Sequence, residues 1–445
     1  MGSPSTDPSD AFVAWAKDHV IRLSTIEPGH GFADLEPIES IIGDALVIAL
    51  GEAAHGTHDF LAFRNRLLEF LVHQAGVTAL AAETGYAESL DVDAYINGED
   101  VDVMVAAQCV FDDWYPAPLE ENLALVEWMR AYNAGAAPGR ALRFYGIDLT
   151  GGWGYEHARR VADSALDYIG RVDPGAAAEL RARLDPLLAT FTTRGYASLV
   201  PAQRAGLTAA MADLVTMLET HRPEFIAATT QADFERARRH AVNARQLDAY
   251  FGCAPRASSD SAADYRAQSM MRDAAMAENL QAVLQEERSR GRMLLFAHNW
   301  HIKKRASEKE AFPEQFPGEP GTTMGQYLQS TLGDQLVVVG STFHRTADGT
   351  ITGPPVTNTR LTVDPAEPSD IDNELARVGS PLFIVDLRAA RQSAPAAAAL
   401  DRPRRMRFND RYAEENPLQA FDALLYVDTV SDWRPVVPAA PRSRR

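Results

Sequence analysis

The segment GEAAHGTH, residues 51–58, places one carboxylate, two imidazoles and two glycines directly after an apolar run. Carboxylates and imidazoles are the groups that general acid–base catalysis uses, and glycines allow a tight exit from a strand. We therefore expect Glu52 to end a strand and the ring of His55 to point from the following turn into a crevice. We expect His58 to begin the next helix.

A second group of imidazoles lies in LLFAHNWHI, residues 294–302, where His298 follows an apolar run and His301 comes three residues later. Glu83 follows the apolar run VTALAA in the same way. Histidines and glutamates that converge from distant segments predict either a general-base site or a metal site. The metal interpretation would use as ligands Glu52, His55, Glu83, His298 and His301.

Several sequence signatures bear on the choice between these chemistries. The HExxH helix of zinc enzymes is absent, although histidine and carboxylate ligands could still hold Zn²⁺ or Mn²⁺. A GxSxG elbow, an SxxK motif and a Walker P-loop are also absent, and Cys109 and Cys253 carry no activating signature. We therefore favour attack by a water molecule that a histidine activates, without a cofactor, and keep a divalent metal as the alternative.

These residues follow continuous apolar runs, which are typical of strands covered by helices on both faces. The runs span residues 45–50, 77–82, 141–147, 292–297, 335–340, 381–386 and 423–428. They predict an α/β fold with a mostly parallel central sheet flanked by helices, and an active site at the carboxyl ends of the strands. The first four runs are followed by Glu52, Glu83, Asp148 and His298, and the later three by Ser341, Asp386 and Asp428.

The stretch between the third and fourth predicted strands has almost no strand signal and reads as a series of helices. We predict an inserted helical lobe over residues 155–290, which would help to enclose a substrate. The α/β core then consists of residues 1–154 and 291–435, and residues 436–445 are expected to be a disordered tail.

Arg64 lies on the apolar face of the helix predicted after the first motif, one turn after Phe60. A guanidinium that points into a protein interior needs a carboxylate partner. We expect that partner to be Glu52 or Glu83.

Composition limits the class of protein. The chain has 445 residues, a formal net charge of -18 and 46% hydrophobic residues, so it can bury a large core but offers no basic surface for nucleic acid. Two cysteines and no apolar run of membrane-spanning length predict a cytoplasmic protein with no membrane partner. The expected partner is a small molecule, and the oligomeric state is left open.

Several blocks of the chain, in this order, resemble the erythromycin esterases and their succinoglycan-biosynthesis-type relatives. The first blocks are DLEPIESIIGDALVIALGEAAHGTHDFLAFRNRLLEFLV and VTALAAETGYAESLDVDAYINGED, followed by VEWMRAYN and FYGIDL. MRDAAMAENL, LLFAHNWHI and TTMGQYL form the later blocks. The resemblance implies hydrolysis of a macrolactone ester, an antibiotic-resistance activity, without a covalent acyl-enzyme.

The resemblance also implies roles for individual residues. His55 would be the general base, and the other catalytic positions that match are Glu52, Arg64, Glu83, His298 and His301. Arg64 with His298 or His301 is expected to stabilise the oxyanion. We expect the substrate to contact Trp114, Tyr115 and Trp300, whereas Asp148, Asp273 and Glu278 are expected to be supporting groups.

Three functions stay open at this point. The first is an esterase that opens a macrolactone or a related ester. The second is a biosynthetic enzyme that uses the same site for another acyl or lactone reaction, including ring closure, because a base works in either direction when water is excluded. The third is a metal- or ligand-binding protein without turnover.

Overall fold

A computed structural model of the chain describes residues 8–111, 117–151, 155–253, 262–312, 320–353 and 359–436. The strands are β1 (Ile21–Arg22), β2 (Val47–Glu52), β3 (Val77–Gly85), β4 (Arg143–Asp148), β5 (Arg292–His298), β6 (Leu336–Thr346), β7 (Thr350–Thr352), β8 (Arg360–Thr362), β9 (Leu382–Asp386), β10 (Arg404–Phe408), β11 (Arg411–Glu415) and β12 (Ala423–Val430). The helices of the first half are α1 (Pro8–His19), α2 (Glu39–Ile42), α3 (His58–Gln74), α4 (Tyr86–Ile96), α5 (Val103–Cys109), α6 (Glu120–Gly135), α7 (Arg159–Val172), α8 (Pro174–Leu188), α9 (Thr193–Ala197) and α10 (Pro201–Thr220). Those of the second half are α11 (Arg222–Ala228), α12 (Gln231–Cys253), α13 (Ala262–Glu287), α14 (Asn299–Ile302), α15 (Met324–Leu332), α16 (Ile371–Ala376), α17 (Leu387–Gln392), α18 (Ala394–Leu400) and α19 (Pro417–Ala420).

The central sheet has eight strands in the order β1-β9-β12-β6-β2-β5-β3-β4. The six strands from β12 to β4 run parallel, and β9 and β1 are antiparallel to their neighbours. This confirms the predicted α/β fold with a mostly parallel sheet, and each of the seven apolar runs forms a strand of it. The eighth strand, β1, has two residues, too few to show an apolar pattern.

Both faces of the sheet are buried, as the continuous apolar runs require. In β2, Ile48 and Leu50 belong to one hydrophobic cluster, whereas Val47 and Ala49 belong to another on the opposite face. Helix α3 packs against the first face through its apolar residues, and helix α13 packs against the second. The sheet is therefore a rigid layer whose carboxyl edge can position side chains accurately.

Asp386, which the sequence analysis places after a strand near the carboxyl edge, lies elsewhere. Because β9 is antiparallel, Asp386 pairs with Ala423 at the start of β12, at the opposite edge of the sheet. There its carboxylate caps α17 by accepting hydrogen bonds from two backbone N–H groups. Ser341 lies inside β6, which continues six residues beyond its apolar run, to Thr346, and its backbone is hydrogen bonded to the side chain of Asn299 next to His298.

The helices α7 to α12 share a hydrophobic cluster of their own, which includes Leu166, Leu214 and Leu247. Hydrogen bonds from Thr150 N–H to the Asn243 side chain and from the Asn279 side chain to a β4 carbonyl fix α12 and α13 beside β4. The division into two core parts and a lobe stays a prediction, and residues 437–445 of the predicted tail lie outside the described residues. Among the described residues, no helix has the length and apolar character required to cross a bilayer.

Candidate active site

Neighbouring parallel strands bring titratable side chains together at the carboxyl edge of the sheet. Strands β2 and β5 are paired so that Glu52 lies directly opposite His298. Glu83 is near the end of β3, which borders β5 on its other side, and Asp148 ends the next strand, β4. Three of the predicted site residues and Asp148 therefore converge on one edge, as the order of the strands requires.

His55 lies in the turn after β2 and is held there by two contacts. Its Nδ1 lies 2.6 Å from Oε1 of Glu52, and its backbone N–H donates to the side-chain oxygen of Asn409 at 3.0 Å. Burial of the ring disfavours its charged form, but the adjacent Glu52 carboxylate outweighs this effect and raises the pKa of His55. Burial also raises the pKa of Glu52, so these two groups form a pair that titrates together.

The ring of His298 lies 4.7 Å from the ring of His55, measured between centroids. Its Nδ1 accepts a hydrogen bond of 3.2 Å from the backbone N–H of Trp300. Burial, together with the positive charge of His55, lowers the pKa of His298 well below its usual value. His298 is therefore a neutral imidazole.

His301, on the short helix α14, lies between two carboxylates. Its Nδ1 is 3.0 Å from Asp273, and its Nε2 is 3.3 Å from Glu83. Burial opposes the charge on this ring, but the two carboxylates outweigh that cost and raise the pKa of His301 to about 10. At neutral pH, His301 is therefore an imidazolium with a hydrogen-bond donor on each ring nitrogen.

Arg272, on α13, is a member of the site that the sequence analysis did not identify. Its Nε donates to both oxygens of Asp148 at 3.0 Å, and its Nη2 donates to Glu83 at 2.8 Å. The cationic neighbours His301 and Arg272 hold the pKa of Glu83 well below its usual range despite its burial. The carboxylates that orient Arg272 precede it by 124 and 189 residues, so only the folded chain reveals the pairing.

Arg64 is buried beneath the site and does not reach the cavity described below. It is fully shielded from solvent, and its guanidinium donates to the side-chain oxygens of Asn65 and Asn122 at 2.9–3.0 Å. The face of the Phe296 ring lies 5.1 Å from its guanidinium carbon. Its positive charge favours the ionised form of Glu52, but its guanidinium donates to amide oxygens, and Arg64 is not among the described residues that line the cavity.

A cavity of about 480 Å³ opens over these groups. Its polar lining residues include His55, His298, His301, Arg272, Glu310, Asp410 and Arg411, and its apolar lining residues are Trp300, Phe312, Ile351, Leu361 and Phe408. Trp300, one of the three residues predicted to contact the substrate, lines the cavity. The other two, Trp114 and Tyr115, lie outside the described residues.

The hairpin β10–β11 forms a wall of the cavity that the sequence analysis missed. Its tip residue Asn409 has a backbone φ of 52° and donates its N–H to the Ala53 carbonyl at 2.8 Å, besides accepting from His55. Phe408 lies against His298, with ring centroids 4.7 Å apart. A left-handed Asn at a hairpin tip was the available signal for this turn, but it does not reveal where the hairpin packs.

The predicted supporting residues have separate roles. Asp273 holds His301 and also accepts from the backbone N–H of Met324 at 2.7 Å. Glu278 pairs with Arg245 at 2.9 Å on an exposed part of the helices.

His58 begins α3, as expected, and lies between Glu121 at 2.6 Å and Glu27 at 2.9 Å.

The suggested metal ligands are arranged for hydrogen bonding. Across the described part of the chain, no group of three His, Cys, Asp or Glu side chains has a geometry suited to holding a metal ion. Nδ1 of His55 faces Glu52, and both nitrogens of His301 face carboxylates. Such pairs suit proton transfer and charge stabilisation.

The fold and the cavity together define an α/β protein with an acid–base site of histidines, carboxylates and an arginine at the carboxyl edge of its sheet. Residues 72–430 match the sequence model of the erythromycin esterase family. The chain belongs to the erythromycin esterase family, and this membership supports a hydrolase of that family. The GEAAHGTH segment precedes the matched residues, so the placement of Glu52 and His55 is independent of that match.

The chain is also similar to individual proteins in sequence and in fold. The chain is 25% identical over 340 residues to erythromycin esterase type II of Escherichia coli, covering 74% of this chain and 77% of that protein. Its fold is similar to that of a succinoglycan biosynthesis protein, with a TM-score of 0.77 and 21% identity over 98% of this chain and all of the other. It is also similar to the erythromycin esterase EreC, solved as a histidine-to-asparagine mutant in its open conformation, with a TM-score of 0.71 and 17% identity over 95% and 99% of the two chains.

Proposed function

We propose that the protein is a carboxylic ester hydrolase that opens a lactone or a related ester with water activated by His55. The observation that carries this proposal is the 2.6 Å contact between Glu52 and Nδ1 of His55 at the wall of the cavity. Because Nδ1 is engaged, Nε2 is the nitrogen left to take a proton from water. Glu52 holds this tautomer and stabilises the imidazolium that forms, as a carboxylate does in a catalytic triad.

The proposed reaction proceeds in two proton transfers. His55 removes a proton from water while the water oxygen bonds to the ester carbonyl carbon, which gives a tetrahedral oxyanion. When the bond from carbon to the leaving oxygen breaks, the proton on His55 passes to that oxygen, and the base is regenerated. His298, as a neutral ring beside His55, adds no charge that would oppose the imidazolium.

Direct attack by water is favoured over a covalent acyl-enzyme. Ser269 and Thr352 are the hydroxyl side chains on the described lining of the cavity. Within the part of the chain that the structure describes, neither hydroxyl is hydrogen bonded to a histidine, which is the arrangement that activates a serine or threonine nucleophile. The proposal includes no cofactor.

The cavity volume supports a substrate of drug-like size, because cavities of roughly 300–1,000 Å³ bind such ligands. Its apolar wall suits the hydrocarbon part of a macrolactone. The Escherichia coli relative is named an erythromycin esterase, so a macrolide is the first substrate to test and macrolide resistance is the corresponding biological role. A content of two cysteines in the whole chain is compatible with the proposed cytoplasmic location.

Mass spectrometry of product mixtures tests this proposal. Erythromycin and a panel of other lactones and esters would be incubated with the protein, with His55→Ala and with chelator-treated protein. We expect one substrate to gain the mass of one water with the untreated and the chelated protein, and no product with the variant. Turnover that the chelator abolishes would contradict the metal-free mechanism. A folded protein that hydrolyses none of the panel but closes a lactone from its hydroxy acid would replace the proposal with the biosynthetic one.

A further inference from the structure

The proposed hydrolysis needs a group that stabilises the oxyanion, and Arg64, the arginine expected from the sequence, lies beneath the cavity rather than on its wall. Arg272 and His301 do line the cavity. Nη1 of Arg272 lies 3.2 Å from Nε2 of His301. This contact joins two side chains from separate helices at the place where the substrate is expected to bind.

Carboxylates are hydrogen bonded to both Arg272 and His301. Asp148 and Glu83 accept from Nε and Nη2 of Arg272, and Asp273 faces Nδ1 of His301. With a carboxylate beside each of its ring nitrogens, His301 is a donor at both positions, so Nε2 offers no lone pair to Nη1. Two donors therefore approach each other, and the acceptor next to both side chains is Glu83, which accepts from Nη2 of Arg272 and lies 3.3 Å from Nε2 of His301.

We propose that Nη1 of Arg272 and Nε2 of His301 form the oxyanion site and bind the carbonyl oxygen of the ester substrate. This inference rests on the proposed esterase function and adds Arg272 as a catalytic residue. An anionic oxygen in contact with both nitrogens relieves the repulsion between the two donors, which makes binding of the tetrahedral oxyanion stronger than binding of the neutral carbonyl. The attack then places the carbonyl carbon between His55 and this donor pair.

The carboxylates explain how two cations can lie next to each other. Glu83, Asp148 and Asp273 neutralise Arg272 and His301 in the resting protein and hold both side chains in position before the oxyanion forms. Glu83 also accepts from the backbone N–H of His298 at 2.8 Å, which fixes the strand that carries this ring relative to the donor pair.

The test measures binding of an anionic analogue of the intermediate, which does not require turnover. The probe is 4-nitrobenzyl butylphosphonate, whose tetrahedral phosphorus carries a negative oxygen, and the neutral control ligand is N-(4-nitrobenzyl)butyramide. Isothermal titration calorimetry would compare the full-length protein with Arg272→Gln and Arg272→Lys. The matched control is Arg143→Gln, because Arg143 forms a similar two-point pair with Asp93 at the opposite end of β4.

We expect Arg272→Gln to weaken phosphonate binding by about 10- to 100-fold, the usual effect of losing a hydrogen bond to a charged group, and to leave butyramide binding unchanged. Arg272→Lys should recover part of the loss, and Arg143→Gln should bind both ligands as the unmodified protein does. Equal weakening of both ligands in both Arg272 variants would show a purely structural role and overturn the inference, as would unchanged phosphonate binding in Arg272→Gln.

The binding measurement and the test of ester hydrolysis can fail independently of each other. Arg272-dependent phosphonate binding in a protein that hydrolyses no ester in the panel would refute the esterase proposal and leave the anion site intact. Ester hydrolysis in which Arg272→Gln lowers kcat by less than tenfold would refute the role of Arg272 and leave the esterase proposal intact, because loss of an oxyanion donor costs about 100- to 1,000-fold in kcat.

Discussion

The pair formed by Glu52 and His55 controls the pH at which the protein can act. His55 accepts a proton only in its neutral form, so kcat/KM should fall as the pH drops through the pKa of this ring. Because the Glu52 carboxylate raises that pKa above the usual value of about 6.5, the acidic limb of the profile should lie above pH 6.5 in the unmodified protein. Glu52→Gln removes the charge and keeps an oxygen that can accept from Nδ1.

The size of the effect follows from the geometry. Two unit charges about 4 Å apart interact by about 4 kcal/mol at an effective dielectric constant of about 20. The His55 side chain is 37% exposed, so solvent screens part of this energy, and we take about half of it, 2 kcal/mol. Glu52→Gln should then lower the pKa of His55 and reduce kcat by about 30-fold, because the imidazolium loses its counter-charge.

The assay is the pH dependence of kcat/KM for the ester identified by mass spectrometry, supported by NMR titration of the His55 ring. Asp386→Asn is the control, because this carboxylate caps a helix at the opposite edge of the sheet. We expect the control to reproduce the unmodified profile. An acidic limb that stays in place or moves upward in Glu52→Gln would refute the assignment of His55 and Glu52 as the base and its partner.

Further predictions concern the packing around the site. Gly51→Ala should lower the free energy of unfolding in urea by about 1–3 kcal/mol, because a methyl group there meets the side chain of Asn299, and the cost should shrink in an Asn299→Ala background. Asn409→Gly should keep stability but lower kcat about tenfold, since it suits the left-handed turn but loses the acceptor for His55; unchanged kcat would contradict this. The carboxylates beside His58 raise its pKa despite burial, so the stabilisation it provides is full below about pH 6.5 and is lost as the pH rises through its folded-state pKa. Thermal unfolding of His58→Gln and the unmodified protein should therefore differ more at pH 6 than at pH 9, and an equal difference would contradict this.

The fold was predictable because each parallel strand is buried on both faces and is therefore apolar throughout. The same pattern contains no information on the direction in which a strand runs. Asp386 was therefore placed near the site, although β9 is antiparallel to the neighbouring strand β12. Glu52, His55, Glu83 and His298 were predictable as neighbours because residues after parallel strands share one edge of the sheet.

The remaining parts of the site depend on tertiary contacts. Arg272 lies in the middle of a 26-residue helix, where an arginine is commonly on the solvent side, and only its pairing with Asp148 and Glu83 shows that it faces the cavity. For Arg64, the sequence indicated that the side chain is buried but not which groups surround it. Its helix face was predicted correctly, but amide oxygens and aromatic rings help to hold the guanidinium below the site.

In the proposed mechanism, water activated by His55 attacks the ester directly. Intact-protein mass spectrometry after rapid acid quenching, at a series of times during turnover of a lactone, tests it most directly. Direct attack predicts that the protein keeps its unmodified mass at every time while the ring-opened acid accumulates, and that His55→Ala gives no product. A protein adduct that carries the mass of the lactone and decays at the turnover rate would contradict the claim, as would undiminished ring opening by His55→Ala.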